Sequence, residues 1–198
     1  MEFDYCNLFV SLYPCVLVIF LKLIIGLGNS GIKYKNTRHN IGRKIVEKFA
    51  KIHNADFILR SKFQSMLSQG FFNNQKIIFA LPETFMNLSG SAVQNIASFY
   101  KIEPRNILIV QDDSDLILGK IKLQFSRSSA GHHGIDSITQ FLGTKNFWRL
   151  RIGIRPIKNR AKAETFVLQK FSSEEIGVLK KVKEEIREKI EKWIQCPA

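Results

Sequence analysis

Apolar residues recur along the chain in two spacings, one typical of strands and one typical of helices. Short apolar or alternating runs predict β-strands at residues 21–25, 63–72, 76–81, 107–110, 120–125 and 148–154. Apolar residues three and four positions apart predict helices at residues 41–52, from Ser89 or Gly90 to about Tyr100, at residues 135–142, and in one last helix after Ser172. Since strands and helices mix throughout, the pattern predicts a single α/β domain.

Two local signals refine these elements. The pair Asn73-Asn74 between two strand-like runs predicts a β-hairpin. Ser172 and Glu175 have the spacing of a capping box, so the last helix is expected to begin there. Its apolar stripe consists of Ile176, Leu179, Val182, Ile186, Ile190 and Trp193.

The first 20 residues stand apart because residues 8–25 are almost entirely apolar. A run of this length is compatible with a signal peptide or a membrane span. Glu2 and Asp4 without an early lysine or arginine, and Pro14 inside the run, argue against both. We therefore interpret residues 1–20 as an extension of doubtful status: a non-native or mis-assigned start, a packed segment, or a membrane anchor. Residues 21–198 form the expected domain.

The charge of the chain is strongly basic. It holds 30 lysines and arginines against 17 acidic residues, which gives a net charge of +13 and a pI of about 9.8. The extension contains two acids and no bases, so the basic character belongs to the remainder. A polyanion such as a nucleic acid is the first partner to consider, although a general lysine bias gives the same composition.

The three cysteines, Cys6, Cys15 and Cys196, lie near the ends of the chain and include no C-x-x-C spacing. This usage is typical of a reducing cytosol and argues against a disulfide framework or a structural zinc site. We therefore expect a cytoplasmic protein.

Glycines at 26, 28 and 31 form the pattern G-x-G-x-x-G, which in dinucleotide-binding proteins leads directly into a helix. Here nine residues separate Gly31 from the predicted helix, and the first acid beyond it, Glu47, lies inside that helix. A dinucleotide site also needs an acid at a later strand end. The context therefore argues against a nicotinamide cofactor.

Polar residues that could carry chemistry follow several of the predicted strands. Asn29 and His39 come after the first strand, Asn87 follows the strand predicted at residues 76–81, and Asp112 follows residues 107–110. A carboxylate beside an imidazole raises the basicity of the imidazole, and carboxamides can hold a water or a carbonyl. Because no nucleophile elbow or zinc-ligand pattern is present, the simplest chemistry is water activated by His39.

Taken in order, these segments resemble the bacterial peptidyl-tRNA hydrolase family. The matching stretches are "LIIGLGNSGIKYKNTRHNIG", "LPETFMNLSGSAV", "ILIVQDDSDLILGKIKL", "SSAGHHGIDSITQFLGTKNFWRLRIGI" and "FVLQKFSSEE". The resemblance implies a monomeric α/β domain with a mixed, twisted β-sheet surrounded by α-helices. It also implies hydrolysis of the ester between a peptide and the 3′ end of tRNA, without a metal, a cofactor or a membrane partner.

The resemblance further implies roles for individual residues. His39 corresponds to the general base and Asp112 to the aspartate that supports it. Substrate-binding positions are Asn29, Tyr34, Met86, Asn87 and His133. Three positions depart from the family pattern: Ser30 stands where proline is usual, Gln111 where histidine is usual, and His133 where asparagine is usual. The last departure leaves open the alternative of an RNA-binding relative without catalysis.

A tRNA substrate would also account for the basic body of the chain. The leading candidates for phosphate contacts are Lys122, Arg127, Lys145, Arg149 and Arg151. Further candidates are Lys101, Arg105, Arg155, Lys158, Arg160 and Lys162. For any one of these cations, a solvated surface charge is the simpler interpretation.

Overall fold

The computed structural model describes residues 21–156 and 163–196, and its centre is a mixed sheet of seven strands in the order β2-β3-β4-β1-β5-β7-β6. The predictions for residues 1–20 and for Lys158, Arg160 and Lys162 lie outside this range. The strands are β1 Lys22–Gly26, β2 Ile58–Arg60, β3 Ser65–Phe72, β4 Gln75–Pro82, β5 Ile107–Ile117, β6 Ile121–Phe125 and β7 Trp148–Arg155.

The central strands β4, β1, β5 and β7 run parallel, and antiparallel strands flank them. Five α-helices accompany them in the described part of the chain: α1 Ile41–Ile52, α2 Ser89–Phe99, α3 His133–Leu142, α4 Ser173–Lys181 and α5 Lys183–Gln195. The predicted fold class, a mixed sheet with surrounding helices in one α/β domain, is confirmed.

Helices cover both faces of the sheet, which explains the uninterrupted apolar runs of the inner strands. Ile24 of β1 faces a core built with α1 and α5, which contribute Phe49 and Ile190. The neighbouring Leu23 faces a second core to which α2 and α3 contribute. A strand buried on both sides cannot alternate between apolar and polar residues, and β1 shows no alternation.

Most predicted elements are confirmed within two or three residues, and the hairpin and the capping box are both present. Asn73 and Asn74 have positive φ angles of 45° and 63°, as a tight hairpin turn requires. Two predictions are wrong. The strand predicted to end at residue 110 continues to Ile117, because Gln111–Asp113 still pair with β7. The single last helix is divided at Val182 into α4, which buries no residue, and α5, which buries Ile186, Ile190, Trp193 and Ile194.

Glycines allow α1 to lie unusually close to the sheet. A Cβ atom added at Gly42, in the first turn of α1, would lie 2.1 Å from the backbone oxygen of Val110 in β5. The backbone N–H of Arg43 donates to the oxygen of Leu27 at 2.8 Å, which fixes the same turn against the end of β1. The residues that precede α1 are thereby held beside the second half of β5.

Two expectations about compartment can be compared with the structure. Cys196 takes part in a disulfide bond, although the spacing of the cysteines argued against a disulfide framework. Among residues 21–156 and 163–196, no helix has the length and apolar composition needed to cross a membrane.

Candidate active site

His39 and Asp112 form a hydrogen-bonded pair at the edge where α1 meets β5. His39 Nδ1 lies 2.8 Å and 2.9 Å from the two carboxylate oxygens of Asp112. The carboxylate is 2% exposed and the imidazole 14% exposed, so both groups are largely shielded from water. Since Nδ1 donates to Asp112, Nε2 of His39 carries the free lone pair and can accept a proton.

The turn that carries His39 is fixed by the segment that precedes α4. His39 lies in a short 3₁₀ turn, Arg38–Asn40, directly before α1. The backbone N–H groups of Arg38 and His39 donate to the oxygens of Gln169 and Val167 at 2.9 Å and 2.8 Å. The Arg38 guanidinium also pairs with Glu175 at 2.7 Å. The imidazole is therefore held in place through its backbone as well as through its ring.

Burial and charge act in opposite directions on this pair. Burial by itself lowers the pKa of His39, but the charge and hydrogen bond of Asp112 outweigh it and raise the pKa above its ordinary value of 6.5. Burial by itself raises the pKa of Asp112, yet the two nearby imidazoles hold it well below its usual range. Asp112 is therefore a carboxylate at neutral pH, and it stabilises the protonated form of His39.

A second imidazole, that of His132, contacts the same carboxylate. His132 is the N-cap of α3, where its Nδ1 accepts a hydrogen bond from the backbone N–H of Gly134 at 3.2 Å. Its Nε2 therefore carries the hydrogen and donates to Asp112 at 3.1 Å. Sequence analysis did not assign this role. The sequence signal for it was the pair His132-His133 between two glycines at a helix start, since only one of two adjacent side chains can point inward.

His39, Asp112 and His132 are also the group of side chains in the described residues that could hold a metal ion. One ligand atom from each lies within 4.8 Å of the others. A tetrahedral zinc ion with bonds of about 2.0–2.1 Å keeps its ligand atoms about 3.4 Å apart. The observed separations of 2.8 Å and 3.1 Å from Asp112 are shorter and are those of hydrogen bonds. The geometry is that of a carboxylate shared by two imidazoles.

Asn29 contributes an amide whose orientation is fixed. Its Oδ1 accepts from the backbone N–H of Met86 at 2.9 Å. Asn40 holds the backbone of Asn29 from both sides, since its Oδ1 accepts from the N–H and its Nδ2 donates to the oxygen, each at 2.9 Å. These contacts use the oxygen of the Asn29 amide and leave Nδ2 as a donor available to a ligand. Sequence analysis did not single out Asn40.

The other predicted substrate-binding residues occupy loops and helix starts. Met86 is buried, and its sulfur packs so closely against Gly134 that a Cβ atom there would lie 2.6 Å from it. Asn87 is exposed in the 3₁₀ turn before α2, and Tyr34 is half-buried in the loop after β1. His133, the first residue of α3, is exposed. Met86, Asn29 and the start of α3 are thus brought together.

A concave surface of about 490 Å³ includes Ser30, the residue that follows Asn29. Its lining residues are Ser30, Gln64, Glu83, Thr84, Phe85, Leu88 and Ser91. Phe85 and Leu88 expose more than half of their surface. A second groove, of about 450 Å³, lies between α1 and the helices α4 and α5 and is lined by none of the predicted catalytic residues.

The basic residues predicted to contact phosphates differ in exposure. Lys122, Arg127 and Lys145 are exposed. Arg149 is 1% exposed and donates to the oxygen of Ser128 at 2.8 Å; burial, with the neighbouring Arg151, lowers its pKa to about 10. The role of Arg149 as a phosphate contact stays a prediction.

Arg151 is buried as well, and its charge already has a partner. Its Nε lies 2.5 Å from the carboxylate of Asp113, and its Nη1 donates to Gln124 at 2.7 Å. Asp113 in turn accepts backbone hydrogen bonds from Asp115 and Leu116. Arg151 therefore forms an ion pair that joins β7 to β5.

Comparison with known proteins gives one consistent result. The family model described as peptidyl-tRNA hydrolase matches residues 23–197. A peptidyl-tRNA hydrolase from Desulfitobacterium hafniense is 43% identical over 82% of this chain and 86% of its own length. One from Bacillus thuringiensis subsp. konkukian is 38% identical over 89% and 95%. The crystal structure of peptidyl-tRNA hydrolase from Acinetobacter baumannii superposes with a TM-score of 0.82 at 33% identity, covering 88% of this chain and 89% of that chain.

Proposed function

Because the chain belongs to the peptidyl-tRNA hydrolase family, we propose that Asp112 and His39 are the groups that catalyse its reaction. The protein is an enzyme that hydrolyses the ester bond between a peptide and tRNA, releasing free tRNA and peptide. The observation that supports our assignment is the buried pair itself, with His39 Nδ1 bonded to both oxygens of Asp112. This arrangement leaves Nε2 as the basic atom.

In the first step, His39 Nε2 takes a proton from a water molecule, whose oxygen attacks the ester carbonyl carbon. The imidazolium that forms is stabilised by the Asp112 carboxylate, which is already ionised. His132 donates to the same carboxylate and holds it in a fixed orientation. Asp112 therefore orients His39 and favours its protonated state, without itself gaining a proton.

The carbonyl oxygen gains negative charge during the attack, and hydrogen-bond donors fixed near it stabilise that charge. Asn29 Nδ2 has the required character because its own oxygen is already bonded to the Met86 N–H. We propose Asn29 as this donor and Asn87 as a second amide that positions the ester. In the last step the 3′ oxygen of tRNA leaves and takes the proton from His39 Nε2.

We also propose how the substrate lies outside the catalytic pair. Tyr34 and Met86 form walls of the cleft, and His133 donates a hydrogen bond where the family usually has asparagine. Lys122, Arg127 and Lys145 contact tRNA phosphates. The protein acts as a monomer in the cytoplasm, which is the compartment of translation, and needs no metal or other cofactor.

The test is a hydrolysis assay with an N-blocked aminoacyl-tRNA. His39→Ala should lower turnover about 10²- to 10⁴-fold, the usual contribution of a general base. His53→Ala is the matched control, because His53 follows α1 at its far end and packs on Phe49. We expect that control to keep most of the wild-type rate. Wild-type turnover by His39→Ala would contradict the mechanism. A wild-type protein that binds RNA without cleaving the ester would instead support the non-catalytic alternative.

A further inference from the structure

Ser30, which stands where the family usually has proline, begins a chain of three polar side chains. Its hydroxyl donates to Glu83 Oε2 at 2.6 Å. The other oxygen of Glu83 pairs with the guanidinium of Arg43, which also donates from Nη1 to the backbone oxygen of Pro82 at 2.8 Å. Three segments are connected in this way: the loop after β1, the residues after β4, and the first turn of α1.

The same two loops are joined by the side chain of Asn29. Asn29 precedes Ser30, and its Oδ1 accepts from Met86, three residues after Glu83. The Ser30–Glu83 and Asn29–Met86 hydrogen bonds therefore run in parallel between one pair of loops. Any change in their separation would strain the Asn29–Met86 contact and turn the Asn29 Nδ2 donor away from its present direction.

The polar chain has the properties of a restraint. The Arg43 and Glu83 side chains are 21% and 26% exposed, so this ion pair is more shielded than an ordinary surface pair. A hydroxyl that donates to a carboxylate makes a stronger hydrogen bond than one between neutral groups. Proline restrains a loop by fixing φ, whereas serine leaves φ free. In this chain the loop is instead held by hydrogen bonds.

We propose that Ser30, Glu83 and Arg43 form a positioning network that aims the Asn29 amide at the reacting ester. The network acts through Asn29 and does not contact the substrate's reacting atoms. This inference rests on the proposed role of Asn29. It predicts that loss of the Ser30 hydroxyl lowers kcat and leaves KM almost unchanged, because a misdirected donor weakens stabilisation of the transition state more than binding of the substrate.

The experiment compares Ser30→Ala, Ser30→Thr and Glu83→Gln with wild type in steady-state hydrolysis of the blocked aminoacyl-tRNA. Ser30→Ala and Glu83→Gln should lower kcat about 3- to 10-fold, because each change acts on the reaction only indirectly, through the direction of the Asn29 amide. KM should change less than about twofold. Ser30→Thr keeps a hydroxyl and should restore most of kcat. Ser91→Ala is the control, since Ser91 lines the same concave surface but bonds only to the oxygen of Leu88.

A double-mutant cycle separates positioning from a general structural role. If Ser30 acts through Asn29, Ser30→Ala in an Asn29→Ala background should cause little further loss, whereas independent effects would multiply. Thermal unfolding of each variant shows whether the fold is intact. Multiplicative effects, or a raised KM with wild-type kcat, would overturn the proposal. Full activity of His39→Ala would overturn the proposed mechanism instead, so the two failures are distinguishable.

Discussion

At the scale of single residues, the central feature is a carboxylate that serves two imidazoles. Asp112, on β5, accepts a hydrogen bond from His39. His132, at the start of α3, donates to one of the same carboxylate oxygens. Two donors keep the carboxylate ionised despite its complete burial. The result is an imidazole whose pKa is raised and whose ring is held by a hydrogen bond, as our proposed mechanism requires. That combination suits repeated proton transfer at neutral pH.

The raised pKa of His39 predicts opposite pH dependences for activity and stability. Only the unprotonated imidazole can accept a proton, so kcat/KM should rise with pH through the His39 pKa, above 6.5, and then reach a plateau. The stabilisation from the His39–Asp112 ion pair is fully present below the unfolded-state pKa and is lost as pH rises through the folded-state pKa. Rate profiles and thermal midpoints between about pH 5 and pH 9 check both trends.

Two variants assign this pH dependence to His39. Asp112→Asn removes the charge that raises the pKa, so the rise in kcat/KM should move to lower pH and the plateau should fall. His133→Asn removes the exposed imidazole at the start of α3 and should leave the rise unchanged. If the rise of kcat/KM with pH disappears in His133→Asn, the rise depends on His133 and not on His39, and the prediction is contradicted.

Motifs were sufficient to select His39, Asp112 and Asn29 as candidates, because each lies in a segment whose order along the chain is distinctive. They were not sufficient for Asn40 and His132. The Asn40 contacts reach across 11 residues and the His132 contact across 20. Whether such side chains meet depends on how α1 and α3 pack on the sheet, which a local pattern does not specify. The burial of Arg149 was missed for the same reason.

At the scale of elements, the position of α1 sets the geometry of the His39–Asp112 pair. The helix was predictable at its observed bounds because its apolar residues follow a regular helical spacing. Its distance from β5 was not predictable, since that distance depends on the close contact between Gly42 and the backbone oxygen of Val110. The length of β5 was also missed. Its polar second half pairs with β7 as a strand although its sequence is that of a loop.

Gly42→Ala tests this contact. An added methyl group would overlap the Val110 oxygen, so α1 must move outward, with a loss of about 1–3 kcal/mol in the free energy of unfolding. The same movement should displace His39 from Asp112 and lower kcat. Chemical denaturation and the hydrolysis assay measure the two effects in one protein preparation.

Gly177→Ala is the matched control for this substitution. Gly177 lies inside α4, and nothing lies within 4 Å of a Cβ atom added there. Alanine in an open helical position should stabilise the protein by about 0.5–1 kcal/mol, with kcat unchanged. A Gly42→Ala variant as stable and as active as Gly177→Ala would show that the close approach of α1 to β5 has no importance for the site.

At the scale of the whole molecule, the chain has a net charge of +13. The basic residues predicted to contact phosphates form a buried group and an exposed group. Arg149 and Arg151 are buried; Arg149 donates to the backbone oxygen of Ser128, and Arg151 pairs with Asp113. Lys122, Arg127 and Lys145 are exposed. The composition of the chain predicted a polyanionic partner but could not separate these groups, because exposure follows from the order of strands in the sheet. Exposed cations release counterions when they contact tRNA phosphates.

The salt dependence of tRNA binding therefore distinguishes the exposed cations. Replacing Lys122, Arg127 and Lys145 with glutamine should reduce the slope of log K against log salt by about 2–3, since each phosphate contact contributes about 0.7–0.9. Replacing Lys44, Lys48 and Lys180 removes the same charge from exposed positions around the groove between α1 and α4. If total charge alone governs binding, the two triple variants will have equal slopes. A reduced slope in the first variant only would place the tRNA backbone along the side of the molecule that carries β6 and the loops next to α3.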